Sequence, residues 1–279
     1  NGTIRVAENA NNIKRLIQNY ANLTLEDMTF YAKNQVGGEA YALSFNNGEI
    51  HFKGDTSIIT TSDKTIAFDV CKFSSYPSVS VYFDDDYTGK INGIIMYDSS
   101  NPETHKLTIN GNGTFGDIKL STSSTDEPAI LVTGGRFAQP INDAYLSDSF
   151  NYQAWDGNYY TYHETRAAAL AAAGANGIVS AVEGEGKVVY STYYYIGTGS
   201  LYHSETYIAN DYATVISAPS KPGYIFMGWK CSDGHTHQPG EAIKVTKNMT
   251  FTAIWANMPD ITPGTPGTPD DDDEPVVTF

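Results

Sequence analysis

An all-β fold is expected for this chain: a stack of short coils, followed by a small β module. Three features predict it. Apolar residues recur at every second position through residues 22–137, polar turn phrases separate these runs, and an aromatic stretch with its own Pro-Gly turns occupies residues 221–255. Alternation with period two marks a strand with one buried face. An antiparallel β-sandwich is the competing arrangement for the first part.

Near the start, Ile13, Leu16 and Ile17 fall at helical spacing behind Asn11 or Asn12 in N-cap position. A short helix there would cover the open end of a coil stack, where unpaired strand edges invite aggregation; the segment is short enough that a strand fits it equally. The strands that follow are Leu23-Leu25, Met28-Phe30, Tyr41-Leu43-Phe45, Ile50-Phe52, Ile66-Phe68-Val70 and Val79-Val81-Phe83. Ile91 to Met96, Leu107-Ile109, Phe115, Ile118-Leu120 and Ile130-Val132 continue the series. Turn phrases recur among them: NLTLEDMTF from Asn22, NNGEIHFKG from Asn46, KLTINGNGTFGDIKL from Lys106 and AILVTGGRF from Ala129. Each sets small or polar residues between two apolar pairs, which suits stacked coils. The phrases resemble the rungs of the right-handed parallel β-helix of bacterial surface proteins and of the pectate-lyase-like superfamily.

Residues 1–150 are therefore expected to form an irregular β-helix with an N-terminal cap. The segment from Gly134 through Asp143-Ala144-Tyr145-Leu146 to Tyr159-Tyr160 resembles a phrase of gut-type surface proteins, a rung that runs through a short helical turn into a strand. Residues 151–190 read as a linking region. Its alanine-rich stretch Arg166 to Ala175 predicts about three helical turns, with Gly174 and Gly177 as stop signals. Strand character resumes at Val188 to Tyr195 and Leu201 to Ile208.

In the stretch from Lys221 to Trp255, Tyr224, Phe226 and Trp229 follow the Pro222-Gly223 turn, and Asp233-Gly234 and Pro239-Gly240 break the chain again. Met249, Phe251, Ala253 and Trp255 then alternate with polar or outward positions. This pattern resembles the Listeria-Bacteroides repeat, the internalin B-repeat-like module, on Gly223, Tyr224, Phe226, Gly228, Trp229, Pro239, Gly240, Ala253 and Trp255. The resemblance covers roughly residues 193–256 and implies a small β-grasp-like unit, residues 191–256, in a bacterial cell-surface protein of the gut type. Tyr224, Trp229 and Trp255 are expected as its core, because a small domain needs the large area that aromatics bury. Pro263, Pro266 and Pro269 with Gly264 and Gly267, then Asp270 to Glu274, form a solvated spacer over 257–279.

A net charge of −15 offers no basic footprint for nucleic acid and disfavours an anionic membrane surface. Twenty tyrosines against 17 lysines and arginines suit extracellular contact with sugars or proteins. No apolar run is long enough for a membrane helix, so direct membrane insertion of this fragment is not expected. The start at Asn1 reads as that of a mature or trimmed chain, and a monomer anchored through sequence beyond the spacer is expected. Cys71 and Cys231 lie too far apart in sequence for a disulfide framework; a buried thiol is expected at Cys71.

Catalytic patterns are weak. Asp84-Asp85-Asp86 alternate across a strand and so do not converge on one substrate atom; a solvated turn is the expected reading. Cys231, His235 and His237 are zinc-type ligands that lack a local fourth partner, so no metal and no cofactor is assigned. No nucleophile elbow is present, and His51, His105, His163 and His203 are scattered. Gly111, Gly113 and Gly116 fit β-turns better than a phosphate loop. The binding candidates are Tyr152, Trp155, Tyr159 and Tyr160, with Tyr162 beside them and Tyr190 and Tyr193 to Tyr195 as a second cluster. Non-catalytic adhesion or display toward a host glycoprotein or polysaccharide is expected, with a carbohydrate-active β-helix enzyme or a pure stalk as alternatives. A groove that gathers two or more carboxylates beside a basic residue would favour the enzyme.

Overall fold

Parallel pairing between segments far apart in sequence organises the first part of the chain. The computed structural model describes residues 2–5, 7, 15–32, 41–71, 78–98, 104–121 and 128–259. It divides into two units, each described by itself below: residues 1–191 with 205–211 and 245–247, and residues 192–204 with 212–244 and 248–279. The expected spacer lies outside the described residues from residue 260 on.

In the first unit, β1 (Gly2–Arg5) precedes a coil of β2 (Ile17–Asn19), β3 (Leu23–Glu26) and β4 (Met28–Ala32). The next coils contain β5 (Tyr41–Phe45), β6 (Gly48–Lys53) and β7 (Ser57–Thr60), then β8 (Ile66–Cys71), β9 (Val79–Phe83) and β10 (Lys90–Asp98). β11 (His105–Ile109), β12 (Thr114–Leu120), β13 (Ala129–Val132) and β14 (Arg136–Phe137) complete the stack. It is a parallel β-helix of about four turns, so the β-sandwich alternative is set aside. One face is the five-stranded sheet β13-β11-β9-β6-β3.

Alternation decides which residues fill the interior. Leu23, Ile50, Val81, Leu107 and Ile130 occupy one register position on five successive coils, and Leu25, Phe52, Phe83, Ile109 and Val132 another. All but Leu23 of these ten are buried. Phe52 stacks on Phe83 with ring centroids 4.5 Å apart, and Phe115 on Phe137 at 5.2 Å. Such offset pairs add to the burial of the rings themselves. Outward residues stack as well: His51 lies over Tyr82 at 5.0 Å.

β10 and β12 each serve two faces. The first residues of β10 pair with β7 and its second half with β8, and the register shifts between Ile91 and Ile94. Gly93 and Gly116 sit at this bend. A Cβ on Gly116 would lie 2.2 Å from the Gly93 carbonyl oxygen, and one on Gly93 would lie 2.3 Å from the Thr65 carbonyl oxygen. Only glycine lets the coils approach this closely. Gly116 is thus a corner inside a strand rather than the turn residue its spacing suggested.

Within residues 11–20, the described part contains β2, a strand; Ile17 joins Leu43 in a parallel ladder. Backbone pairing with the next coil outweighs the helical spacing of a segment this short. After β14 the pairing turns antiparallel. β15 (Tyr152–Trp155), β16 (Tyr160–His163) and β17 (Ile178–Ala181) form the sheet's last strands, β16 beside β14. Asp143–Tyr145 make a single 3-10 turn capped by the Asn142 side chain. The one helix among the described residues, α1 (Arg166–Ala173), is capped by Thr165 and ends at Gly174, φ 68°; it buries Ala169 and Ala173 against Tyr152 and Ala154. Residues 151–190 therefore carry a packed β-sheet and helix within the first unit.

The second unit draws on β18 (Val189–Tyr195), β19 (Leu201–Ile208), β20 (Tyr212–Thr214), β21 (Tyr224–Cys231), β22 (Thr236–His237), β23 (Ala242–Lys244) and β24 (Met249–Asn257). Its sheet order is β19-β18-β24-β21-β22, with β20 and β23 paired separately. Trp229 is fully buried and donates to the Ile216 carbonyl at 2.8 Å, and Tyr194 stacks on Phe251 at 4.6 Å. Of the expected core, Tyr224 is 39% exposed and carries Lys221 over its ring at 3.8 Å. A bulge between Phe226 and Gly228 brings Phe226 and Trp229 to within 5.3 Å, leaving Tyr224 at the strand end. The buried thiol is Cys231, while Cys71 is half-buried at the end of β8.

Replacing Gly116 by Ala is expected to cost about 1–3 kcal/mol through backbone clash. Gly184→Ala, whose Cβ would meet only the Lys187 side chain at 3.6 Å, should change stability by less than about 0.5 kcal/mol. Urea unfolding of the two variants beside the parent chain measures the difference.

Candidate functional site

A groove of about 470 Å³, lined in part by Gly116, lies on the outside of the β-helix. Ile91 and Phe115, adjacent in register and both buried, underlie it. Lys90 on β10 and Asp117 and Lys119 on β12 rise from the strands, and Asp63 and Lys64 enter from the turn between β7 and β8. Asp117 and Lys119 are two apart on a strand, which puts both on the outer face; their charged groups lie 3.3 Å apart. Asn92 uses its side-chain oxygen to accept from the Thr60 amide at 2.7 Å and the Thr60 hydroxyl at 3.0 Å, which holds the floor together. Gln139 and Tyr159 close the far side.

Tyr159 owes its place to Asp156. One Asp156 oxygen accepts from the backbone N–H groups of Asn158 and Tyr159, each at 2.8 Å, and the other accepts from Arg136 at 2.9 Å. The backbone bonds first, then the guanidinium, hold this carboxyl below its ordinary range. Arg136 in turn lies over the Tyr159 ring at 4.9 Å, a cation–π contact. The charges of a second cavity, about 580 Å³ and bordered by Arg136, Asp156 and His163, are engaged in this same pair.

The aromatic candidates do not share one platform. Along β15 and β16, Trp155 and Tyr160 fall on one sheet face and Tyr152 on the other. Tyr152 is buried, donates to Asp211 and accepts from the Ile208 amide; it belongs to packing. Trp155 and Tyr160 are half-buried partners 6.4 Å apart. Tyr162 donates to Gln153, accepts from the Ile141 amide, and is pushed up to about 12 by burial. Tyr159 alone of the nominated four lines the groove. In the second cluster Tyr194 is core.

The acidic run behaves as a turn. Asp84 is 2.8 Å from His51 and 3.3 Å from Lys53, while Asp85 and Asp86 are exposed. Of the zinc-type residues, Cys231 and His237 come together with Asp233, whereas the His235 side chain is 79% exposed. Burial opposes ionisation of Asp233, but hydrogen bonds from the His235 amide, His237 and Cys231 outweigh it and hold the carboxyl at about 2.

Sequence reasoning missed the lysines and Asp63 and Asp117 of the groove. A signal was present: a glycine inside each of two apolar runs, KINGIIM and TFGDIKL, marks a bend, and polar residues beside it line that bend. No protein-family model, curated protein or solved structure matches the chain.

His163 supplies a pH test of the second cavity. Burial holds its pKa below 6.5, so the unfolded chain protonates first. Stability is full above about pH 6.5 and falls as pH drops through the folded pKa. His163→Gln is expected to flatten that part of the decline, measured by urea unfolding at about pH 7.5 and about pH 5.

Proposed function

We propose that this chain is a non-catalytic module of a bacterial cell surface that adheres to an acidic polysaccharide through the groove over β10 and β12. The observation that carries the reading is charge placement. In a chain of net charge −15, three lysines, Lys64, Lys90 and Lys119, meet around one groove against two aspartates. Cationic groups over a low-dielectric floor attract an anionic chain, Asn92 and Gln139 offer polar contacts to hydroxyls, and Tyr159 offers a ring edge. The resemblance of residues 193–256 to a surface-protein repeat supports the extracellular setting. Among the described residues no helix is long and apolar enough to cross a membrane.

Adhesion is favoured over hydrolysis by the surroundings of the two acids. Asp117 is paired with Lys119 and Asp63 is exposed on its turn. Neither is the carboxylic acid sheltered in an apolar pocket that protonates a leaving group. Calorimetric titration with a polyuronate should show binding that weakens as salt is raised. Lys90→Ala with Lys119→Ala should weaken it about tenfold, the equivalent of ~1.4 kcal/mol, while the fold is retained by circular dichroism. Equal binding of a neutral glucan, or no effect of the double variant, would sink the proposal.

A second reading follows from the same groove, because two carboxylates beside lysines meet the compositional requirement for a lyase or glycosidase. In that case the chain shortens the polyuronate, and Asp117→Asn or Lys90→Ala abolishes the shortening. Size-exclusion chromatography of the polymer after overnight incubation decides it; unchanged polymer length leaves adhesion standing.

A further inference from the structure

We infer that Cys231, Asp233 and His237 form a zinc site in the second unit, with Glu241 holding the histidine from behind. The hairpin between β21 and β22 brings them together. Cys231 ends β21, its amide donates to the His235 carbonyl at 2.9 Å, and Gly234 turns the chain at φ 99°. Trp229 pairs with His237 across the two strands. One ligand atom from each of Cys231, Asp233 and His237 then lies within 4.8 Å of the others.

The donor set selects the ion. A thiolate, an imidazole and a single carboxylate suit zinc, whereas calcium and magnesium take oxygen ligands almost alone. Tetrahedral zinc with ligands at about 2.0–2.3 Å keeps its donors roughly 3.3–3.8 Å apart, so side-chain rotation on a fixed hairpin closes the site. Water takes the fourth position.

The histidine is oriented as metal-bound histidines are. Its Nε2 faces Asp233 Oδ2 at 2.9 Å, and its Nδ1 lies 2.8 Å from Glu241 Oε2. Glu241 is itself fixed, since its other oxygen accepts from the Gln238 amide at 3.0 Å. A carboxylate on the far ring nitrogen sets the tautomer that presents Nε2 to a metal. Asp233 is fixed too, through the His235 amide at 2.8 Å. Zinc binding releases the thiol proton and the proton between His237 and Asp233.

The full chain, stripped with a chelator and kept reduced, is titrated with zinc chloride against a chromophoric chelator and, separately, with cobalt chloride. One equivalent of each ion should bind, and cobalt should give the intense d–d bands of a tetrahedral site with a sulfur-to-metal charge-transfer band. Cys231→Ser and His237→Gln should each lower zinc affinity at least tenfold. Glu241→Gln, which keeps all three ligands, should lower it about tenfold, and Cys71→Ser should leave it unchanged. Absence of a stoichiometric ion, a cobalt spectrum of octahedral type without the sulfur band, or loss of binding in Cys71→Ser but not Cys231→Ser would each overturn the site. The cobalt spectrum needs no variant, so a misfolded substitution cannot mask the answer.

Discussion

The in-register parallel pairing of one coil with the next governs the rest of the first unit. Leu23, Ile50, Val81, Leu107 and Ile130 share one register position, and the rows beside them follow. Because side chains alternate, a slip of one residue would turn Phe52, Phe83 and Ile109 into water and bring His51, Tyr82 and Thr108 inside. The buried phenylalanines therefore enforce the ladder as much as the ladder places them. No single coil could bury its own apolar face; the stack supplies the core.

That constraint also makes the groove. Each coil must bend where one face passes to the next, and at β10 and β12 the bend is tight enough that Gly93 and Gly116 meet backbone. The groove lies beside Gly116, and the ladder fixes the strand residues that border it. Lys90, Asp117 and Lys119 are anchored on hydrogen-bonded strands, whose positions vary less than those of loops. Three lysines and two aspartates are thereby gathered around one groove on a rigid support.

Some of this was legible. The strands of residues 22–137, their stacking and the helix near residue 166 follow from period two, turn phrases and alanine content, and the structure contains each. The aromatic nominations fared differently because composition does not say which face a residue takes. Tyr152 and Trp155 look alike in sequence, yet three steps along one strand separate them to opposite faces. Tyr224 and Trp229 were both expected inside; Trp229 is, but Tyr224 lies exposed at the strand end beyond a bulge, and Phe226 packs against Trp229. Asp233 escaped notice as a ligand type because a search for cysteine and histidine passes over an aspartate at the tip of a hairpin.

By itself the amino-acid order determined what is local: alternation, turns, caps, net charge and hence an all-β, acidic chain. Only the tertiary structure decided which residues far apart in sequence became neighbours. Lys64, Lys90 and Lys119 converge because parallel coils bring distant segments together, at a register set by turn lengths that vary from coil to coil, and Tyr159 joins them through the antiparallel strands that follow β14. Backbone hydrogen bonds reward any well-aligned pair of strands alike. The choice of partner therefore rests on summed side-chain packing across the whole stack, a quantity that no local window of residues contains.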